Sequence, residues 1–254
     1  MNKMLNAVKI LRLLLVTVCC FSEMKAMEII PFVYDWKVED ENSFQYHVRN
    51  TSNNLIAFEL SVWARKQDKN GKDILVSLKD LKKNMSDPAQ AKKFEQFADV
   101  AEICDCIDIY PKQIIIPPNS KRSIKLRFRG KVPSKEIAMR VCFSQFPISV
   151  AKKVKRSEKS ATVNVRYEIW SSLYVTPKNC APNVSIVSVD KNNITLKNDG
   201  NARQQMNKID LMYNGKSVKD MINSDDLETV VMPGNTRIYK MKQAGKAADQ
   251  NSAR

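Results

Sequence analysis

Histidine, glycine and long apolar runs are all scarce in this chain, and each scarcity closes off a class of function. The 254 residues include a single histidine, His47, so neither a histidine-based catalytic triad nor a multi-histidine metal site can be assembled. Glycine occurs six times, with no G-x-G-x-x-G and no P-loop, which leaves nucleotide phosphates without a cradle. Beyond residue 26 no apolar run is long enough to cross a bilayer. These absences argue against an enzyme, against a bound cofactor or metal, and against membrane insertion. A hydrolase built on paired carboxylates stays open, because pairing in space is invisible in a sequence.

What is present begins with a leader. Lys3, Lys9 and Arg12 precede the apolar run "LLLVTVCCF" and then "SEMKAM". This is the layout of a cleavable secretory signal, residues 1–26, with cleavage expected after Ala26. Export leaves Cys104, Cys106, Cys142 and Cys180, and an oxidising compartment permits disulfides among them in any of three pairings. Cys104 and Cys106 are too close to bond to each other without strain. The C-x-C lacks zinc-site spacing, so the four are read as candidate disulfide cysteines rather than metal ligands.

The charge balance is strongly basic, 42 Lys/Arg against 27 Asp/Glu, and cleavage would remove only four of the bases and one acid. Charge alone does not choose among nucleic acid, anionic headgroups and an acidic partner. The most cationic run, "AKKVKRSEK" at 151–159, carries no interleaved aromatics, which argues against a nucleic-acid stacking platform and for a solvated, partner-steering loop.

The rest of the chain has the rhythm of strands. "SFQYHVRNTS" alternates Phe44, Tyr46 and Val48 against Gln45, His47 and Arg49. "IIIPPNSKRSIKLRFRG" is a short strand, a turn, and a second strand with Ile124, Leu126 and Phe128 on one face and Lys125, Arg127 and Arg129 on the other. "DKNGKD", Asn214-Gly215 and Pro233-Gly234 mark tight turns. One segment departs from the rhythm: Asp87-Pro88 reads as a helix start, with apolar residues at helical spacing after it, so a short inserted helix is expected over 88–101. "TVNVRYEIWSSLYVTP" predicts a long strand over 161–175 whose residues Val163, Val165, Tyr167 and Ile169 share one apolar face. "TPKNCAPN" reads as a hinge at 176–181. The fold class expected is all-β: two immunoglobulin-like β-sandwich domains in a boomerang-like pair, 27–175 and a smaller 182–243, followed by a flexible tail at 244–254.

These pieces in this order resemble the periplasmic chaperones of the chaperone–usher pilus pathway. Glu136, Arg140 and Gln145-Phe146-Pro147 look like that family's E-x-x-Y-R strand and its x-x-P corner. "IIIPPNSKRSIKLRF" is similar to its L-x-P-G-x-x-Q-x-V-R-L. "ELSVWARKQDKNGKDIL" and "YEIWSSLYVTP" resemble the branch that assembles thin, archaic pili, and the likeness runs from about residue 28 to 240. The resemblance implies a non-enzymatic chaperone in the periplasm that binds pilin or fimbrial subunits by donor-strand complementation and passes them to an outer-membrane usher. Val163, Val165, Tyr167 and Ile169 would be the donated face, and the free chain would cap that face as a homodimer. The family anchors the subunit's terminal carboxylate with an arginine in the first strand and a lysine in the long strand. Here the first strand has no arginine and Ser172 stands at the lysine position, so Arg127, Arg140 and Arg166 become the candidate anchors, each of them equally readable as a solvated strand cation. Glu136 would join an ion pair across the domain cleft. Thr176 replaces the arginine expected there, which leaves Lys178 or another cation as partner. A secreted subunit or adhesin of the same sandwich architecture, or a basic surface-binding module, are the alternatives.

Overall fold

The computed structural model describes residues 27–146 and 166–242. The expected leader, the cationic run at 151–159, Pro147, Val163, Val165 and the expected tail lie outside the described residues. The first core is enclosed by two sheets. One is four-stranded, in the order β1 (Met27–Ile30), β3 (Ser43–Asn50), β8 (Lys121–Phe128), β6 (Ile107–Tyr110). The other is six-stranded, β2 (Val33–Lys37), β10 (Glu168–Thr176), β9 (Ile137–Gln145), β4 (Ile56–Gln67), β5 (Asp73–Ser77), with β7 (Gln113–Ile116) also on β4. The alternation read in the sequence is the one observed. Phe44, Tyr46, Val48, Ile124, Leu126 and Phe128 are buried, and Gln45, Arg49, Lys125 and Arg127 are exposed. Trp36, Phe44, Tyr46 and Phe143 run through this core in edge contacts at 4.9, 5.1 and 5.7 Å. Each such buried side chain stabilises the fold by about 1.5–3 kcal/mol.

"IIPFVYDW" does not form one strand. β1 pairs antiparallel with β3 in the four-stranded sheet, and β2 pairs parallel with β10 in the other. Ser171 Oγ donates to Phe32 O at 2.8 Å and lies 2.9 Å from the Tyr46 hydroxyl, pinning the crossing between sheets.

The insertion is longer and more broken than a helix over 88–101. It runs as α1 (Leu78–Met85), α2 (Pro88–Ala91), a 3-10 stretch (Lys92–Phe97), α3 (Ala98–Ala101) and a 3-10 turn (Cys104–Cys106). Ser77 ends β5 and caps α1, accepting from Asp80 N at 3.1 Å, and Asp87 caps α2 ahead of Pro88. The many lysines of α1 disguise its apolar period, yet Leu78 and Leu81 are buried. With Phe97, Val100 and Ile103 they join the first core. They pack against β4 and β5 of the six-stranded sheet.

A second core belongs to β11 (Val184–Val189), β12 (Asn193–Asn198) and β17 (Thr236–Lys240), which form a three-stranded sheet. The short pairs β13 (Gln204–Gln205) with β16 (Val230–Val231), and β14 (Met212–Tyr213) with β15 (Lys216–Ser217), complete the unit. Ile194, Leu196, Met206, Val218 and Tyr239 are buried there. Asn214-Gly215 turns β14 into β15 with both residues at positive φ, 48° and 76°. All four described cysteines are free thiols, so the expected staples are not formed. Cys104 and Cys106 sit in the insertion, Cys142 within β9 and Cys180 between β10 and β11, so apart from the C-x-C no two share an element. Among the described residues no helix is long and apolar enough to cross a membrane.

Candidate functional site

Two features face away from the cores and can meet a partner: a half-bare strand edge and a cleft between the two units. The edge belongs to β10. On one side β10 pairs with β9 along Glu168–Val175, but on the other β2 covers only Ser172–Thr176. Ser172 N donates to Phe32 O, so the even residues of β10 aim their backbone groups at the β2 side. Glu168 and Trp170 therefore present N–H and C=O to a side on which no described strand lies. Around this edge Ile30, Phe32, Val33 and Tyr167 are 52%, 56%, 55% and 53% exposed, in a molecule that buries most of its large apolar groups.

Of the expected donated face, Val163 and Val165 are outside the described residues. Ile169 is half-buried and packs against the first core, on the inward side of the sheet with Ser171, Leu173 and Val175. Tyr167 is the first of this set beyond the cover of its own domain.

The cleft is built by register. On the outward face of the six-stranded sheet, β10, β9, β4 and β5 bring Ser172 beside Arg140 and Arg140 beside Trp63, and bring Gln67 beside Asp73. Arg65 lies two residues beyond Trp63 on the same face. Asp73 gathers the polar groups. Its Oδ2 accepts from Arg140 at 3.0 Å and lies 2.9 Å from Arg65 Nε, and its Oδ1 accepts from Gln67 at 3.1 Å. Burial alone would raise the Asp73 carboxyl, but the Arg65 charge and the hydrogen bonds from Gln67 and Arg140 outweigh it and hold it below its ordinary value. Arg65 also donates to the Tyr174 hydroxyl at 3.1 Å. The opposite wall comes from the second unit, with Thr229, Val230 and Arg237, and the enclosed volume is about 510 Å³.

Two attachments flank this cavity. At the tip of the β4–β5 hairpin, Ile238 N donates to Lys69 O at 2.8 Å and Asn235 Nδ2 to Gln67 O at 3.2 Å. The Arg237 guanidinium lies on Gly71, where a Cβ would collide with it. On the hinge side, Arg203 bonds Glu136 Oε2 at 2.6 Å and Asp35 Oδ1 at 2.5 Å, and lies 3.6 Å over the Tyr174 ring. Arg203 N and Thr176 Oγ1 also donate to Glu136. Burial pushes the Glu136 carboxyl up, against the pull of Arg203.

Of the residues singled out in the sequence, Arg140 alone among the three candidate anchors lines the cleft. Arg127 is exposed on the outer face of the four-stranded sheet, opposite Ser43 and Asp108. Arg166 is exposed just ahead of β10. Glu136 does join an ion pair between the units, with Arg203 as its cation. Lys178 instead donates its backbone N–H to Glu39 and pairs with Asp40. Arg65, Asp73, Arg203 and Arg237 were not legible as site residues. Arg65 reads as one polar-face residue among many, and the others lie on strands or turns whose neighbours are fixed only by folding.

No protein-family model matches the chain, and no curated protein matches it in sequence. Solved structures do resemble it in fold. The class 5 fimbriae chaperone CfaA is 17% identical, with 88% of this chain and 95% of that chain covered, at a TM-score of 0.53. The chaperone DraB of E. coli is 13% identical over 85% of each chain, at 0.51. A chain of the CsuC–CsuE chaperone–tip adhesion subunit complex from the archaic Csu pili of Acinetobacter baumannii is 14% identical over 85% of this chain and 89% of that one, at 0.50. The architecture is thus the two-domain, immunoglobulin-like, all-β fold of the fimbrial chaperones.

Proposed function

We propose that this chain is a non-enzymatic periplasmic chaperone that holds fimbrial subunits by lending them strand β10, and hands them to an outer-membrane usher. The observation that carries this reading is the half-bare edge: β2 stops pairing at Ser172, and exposed apolar side chains surround the backbone groups left over. An unpaired edge with an oily border invites a strand from another chain. Backbone hydrogen bonds then supply register, and alternate side chains supply affinity. A subunit whose sandwich lacks one strand offers the complementary groove. Tyr167, with Val163 and Val165 ahead of it, would enter it, while Ile169 stays on the chain's own core.

In this reading the cleft receives the end of the captured chain. Arg140 stands one strand and Arg65 two strands from Ser172 on the same face, where a guanidinium fork can take a terminal carboxylate in place of the lysine the resemblance expects. Arg127 and Arg166 lie outside the cleft and steer at most. Folding into two units held by Arg203 and the hairpin tip keeps the edge and the cleft in one orientation for the incoming subunit.

The test is co-purification from periplasmic extract with the wild type and with a Phe32→Asp, Tyr167→Asp variant. Both positions are more than half exposed, so the variant should keep its circular dichroism. Small β-rich subunits recovered with the wild type and lost from the variant support strand lending. Recovery of the same subunits with both would remove the edge from the mechanism.

A further inference from the structure

The cleft is already partly filled by the protein itself. Arg65 and Arg140 both converge on the single oxygen Oδ2 of Asp73, and Gln67 takes the other oxygen. Two guanidiniums thus share one carboxylate, and a third, Arg237, faces them from the second unit across the same cavity. Two buried side-chain nitrogens among the described residues make no hydrogen bond, and both belong to this site: Arg65 Nε and Arg237 Nε. Arg65 Nε does lie 2.9 Å from Asp73 Oδ2, so the contact is an ion pair by distance without an aligned N–H. A buried guanidinium with an unused donor is costly, and one carboxylate oxygen cannot satisfy two forks at once. The remaining charged groups on the wall do not relieve the imbalance. Arg203 is committed to Glu136 and Asp35, and Glu228 reaches the cavity from the second unit without an ion pair to any of the three arginines among the described residues.

The arrangement resembles a receptor for a carboxylate with an internal carboxylate in place. We propose that Asp73 is a placeholder: in the free protein it holds Arg65 and Arg140 in their forked geometry, and a ligand carboxylate exchanges with it on those two arginines. This deepens the chaperone reading and rests on it for the identity of the ligand, a chain-terminal carboxylate. The exchange needs only a side-chain rotation. The hairpin backbone beside Asp73 is fixed to the second unit through Lys69, Gln67 and Gly71, so Asp73 can swing without the strand moving. A carboxylate offers the two arginines the same pair of acceptor oxygens that Asp73 gives them, which favours it over a neutral amide end. Competition by Asp73 also keeps the hold weak enough to be reversed, as a carrier requires.

The experiment follows the arginine Nε–H resonances of the full chain by NMR during titration with sodium acetate, against sodium chloride at equal ionic strength and pH. In the wild type, acetate should move the Arg65 and Arg140 signals and leave exposed Arg127 where chloride leaves it. In Asp73→Asn the same shifts should appear at about tenfold lower acetate, the competitor having been removed. Asp73→Ala serves the same purpose should the asparagine disturb folding by circular dichroism. Equal acetate affinity in wild type and both variants, or shifts no larger at Arg65 than at Arg127, would overturn the proposal. Acetate carries no strand, so a negative result here leaves the edge assay with Phe32 and Tyr167 standing. Loss of that assay with acetate exchange intact would sink the chaperone reading alone.

Discussion

Arg203→Ala should be among the most damaging single substitutions in this protein. The Arg203 side chain is 9% exposed and Glu136 only 3%, and Arg203 is the cation bonded to Glu136 among the described residues. Truncation would leave Glu136 buried with the Arg203 backbone N–H and the Thr176 hydroxyl, both at 3.3 Å, as its donors. Breaking a buried pair from one side costs about 3–5 kcal/mol, and the stacking on Tyr174 adds roughly 0.5–2 kcal/mol. Glu136 can limit the loss by taking a proton. Its folded carboxyl, already pushed up by burial, would rise further without Arg203. The native state then binds more protons than the unfolded chain between the ordinary glutamate value, 4.5, and the raised one. The penalty should therefore be smallest in mild acid and grow as pH rises through that window, reaching its full size above the folded pKa. All three tryptophans, Trp36, Trp63 and Trp170, lie in the first unit, so urea unfolding followed by tryptophan fluorescence reads the side of the cleft that holds Glu136. Measured at pH 7.5 and pH 5.5, the variant should lose several kcal/mol at the first and clearly less at the second. Adding Glu136→Gln should recover much of the loss at pH 7.5. A loss below about 1 kcal/mol at pH 7.5, the range of exposed pairs, would refute the reasoning.

Gly71→Ala should destabilise through both backbone and contact, since φ is +81° and the new Cβ would displace the Arg237 guanidinium. A drop in the midpoint of second-domain unfolding, followed by hydrogen exchange at Ile238, would register the loss of the hairpin attachment. Asp73 and Asp99 are both held below the ordinary value of 3.8: burial opposes the shift at each, and Arg65 in one case and Lys66 in the other outweigh it. The stability they contribute is present above 3.8 and lost as pH falls through their lower folded values. Urea titrations from pH 5 to pH 2 should accordingly show a shallower acid loss in Asp99→Asn than in the wild type. The oily edge should drive weak self-association of the free chain, so sedimentation at rising concentration should reveal a dimer that Phe32→Asp abolishes. A concentration-independent monomer for the wild type would remove self-capping.

How much could be read in advance depends on the range over which each feature is decided. The two faces of β8 were legible because Ile124, Leu126 and Phe128 alternate with cations within a single strand. The tight turns were legible because asparagine and glycine accept the backbone that a turn demands. The change of sheet within "IIPFVYDW" was not legible, because an apolar run has the same look whether it stays in one sheet or crosses to the other. α1 was missed because a helix of two turns with five polar positions in "LKDLKKNM" carries only Leu78, Leu81 and Met85 as its apolar signal. Glu136 could be marked for an ion pair from its motif, yet its partner lies 67 residues away on the other unit.

Local residue chemistry, acting through strand period and turn preference, determined the all-β class, the two-unit division and the faces of most strands. Tertiary structure alone decided the site. Arg65, Asp73 and Arg140 meet because β5, β4 and β9 pair in one register, and Arg237 and Arg203 reach them because two separately folded units close on a shared cleft. The edge of β10 is bare for the same reason: β2 runs out at Ser172. Strand pairing and domain contact depend on the geometry of the whole chain, and a one-residue shift in either would carry the same side chains to a different face.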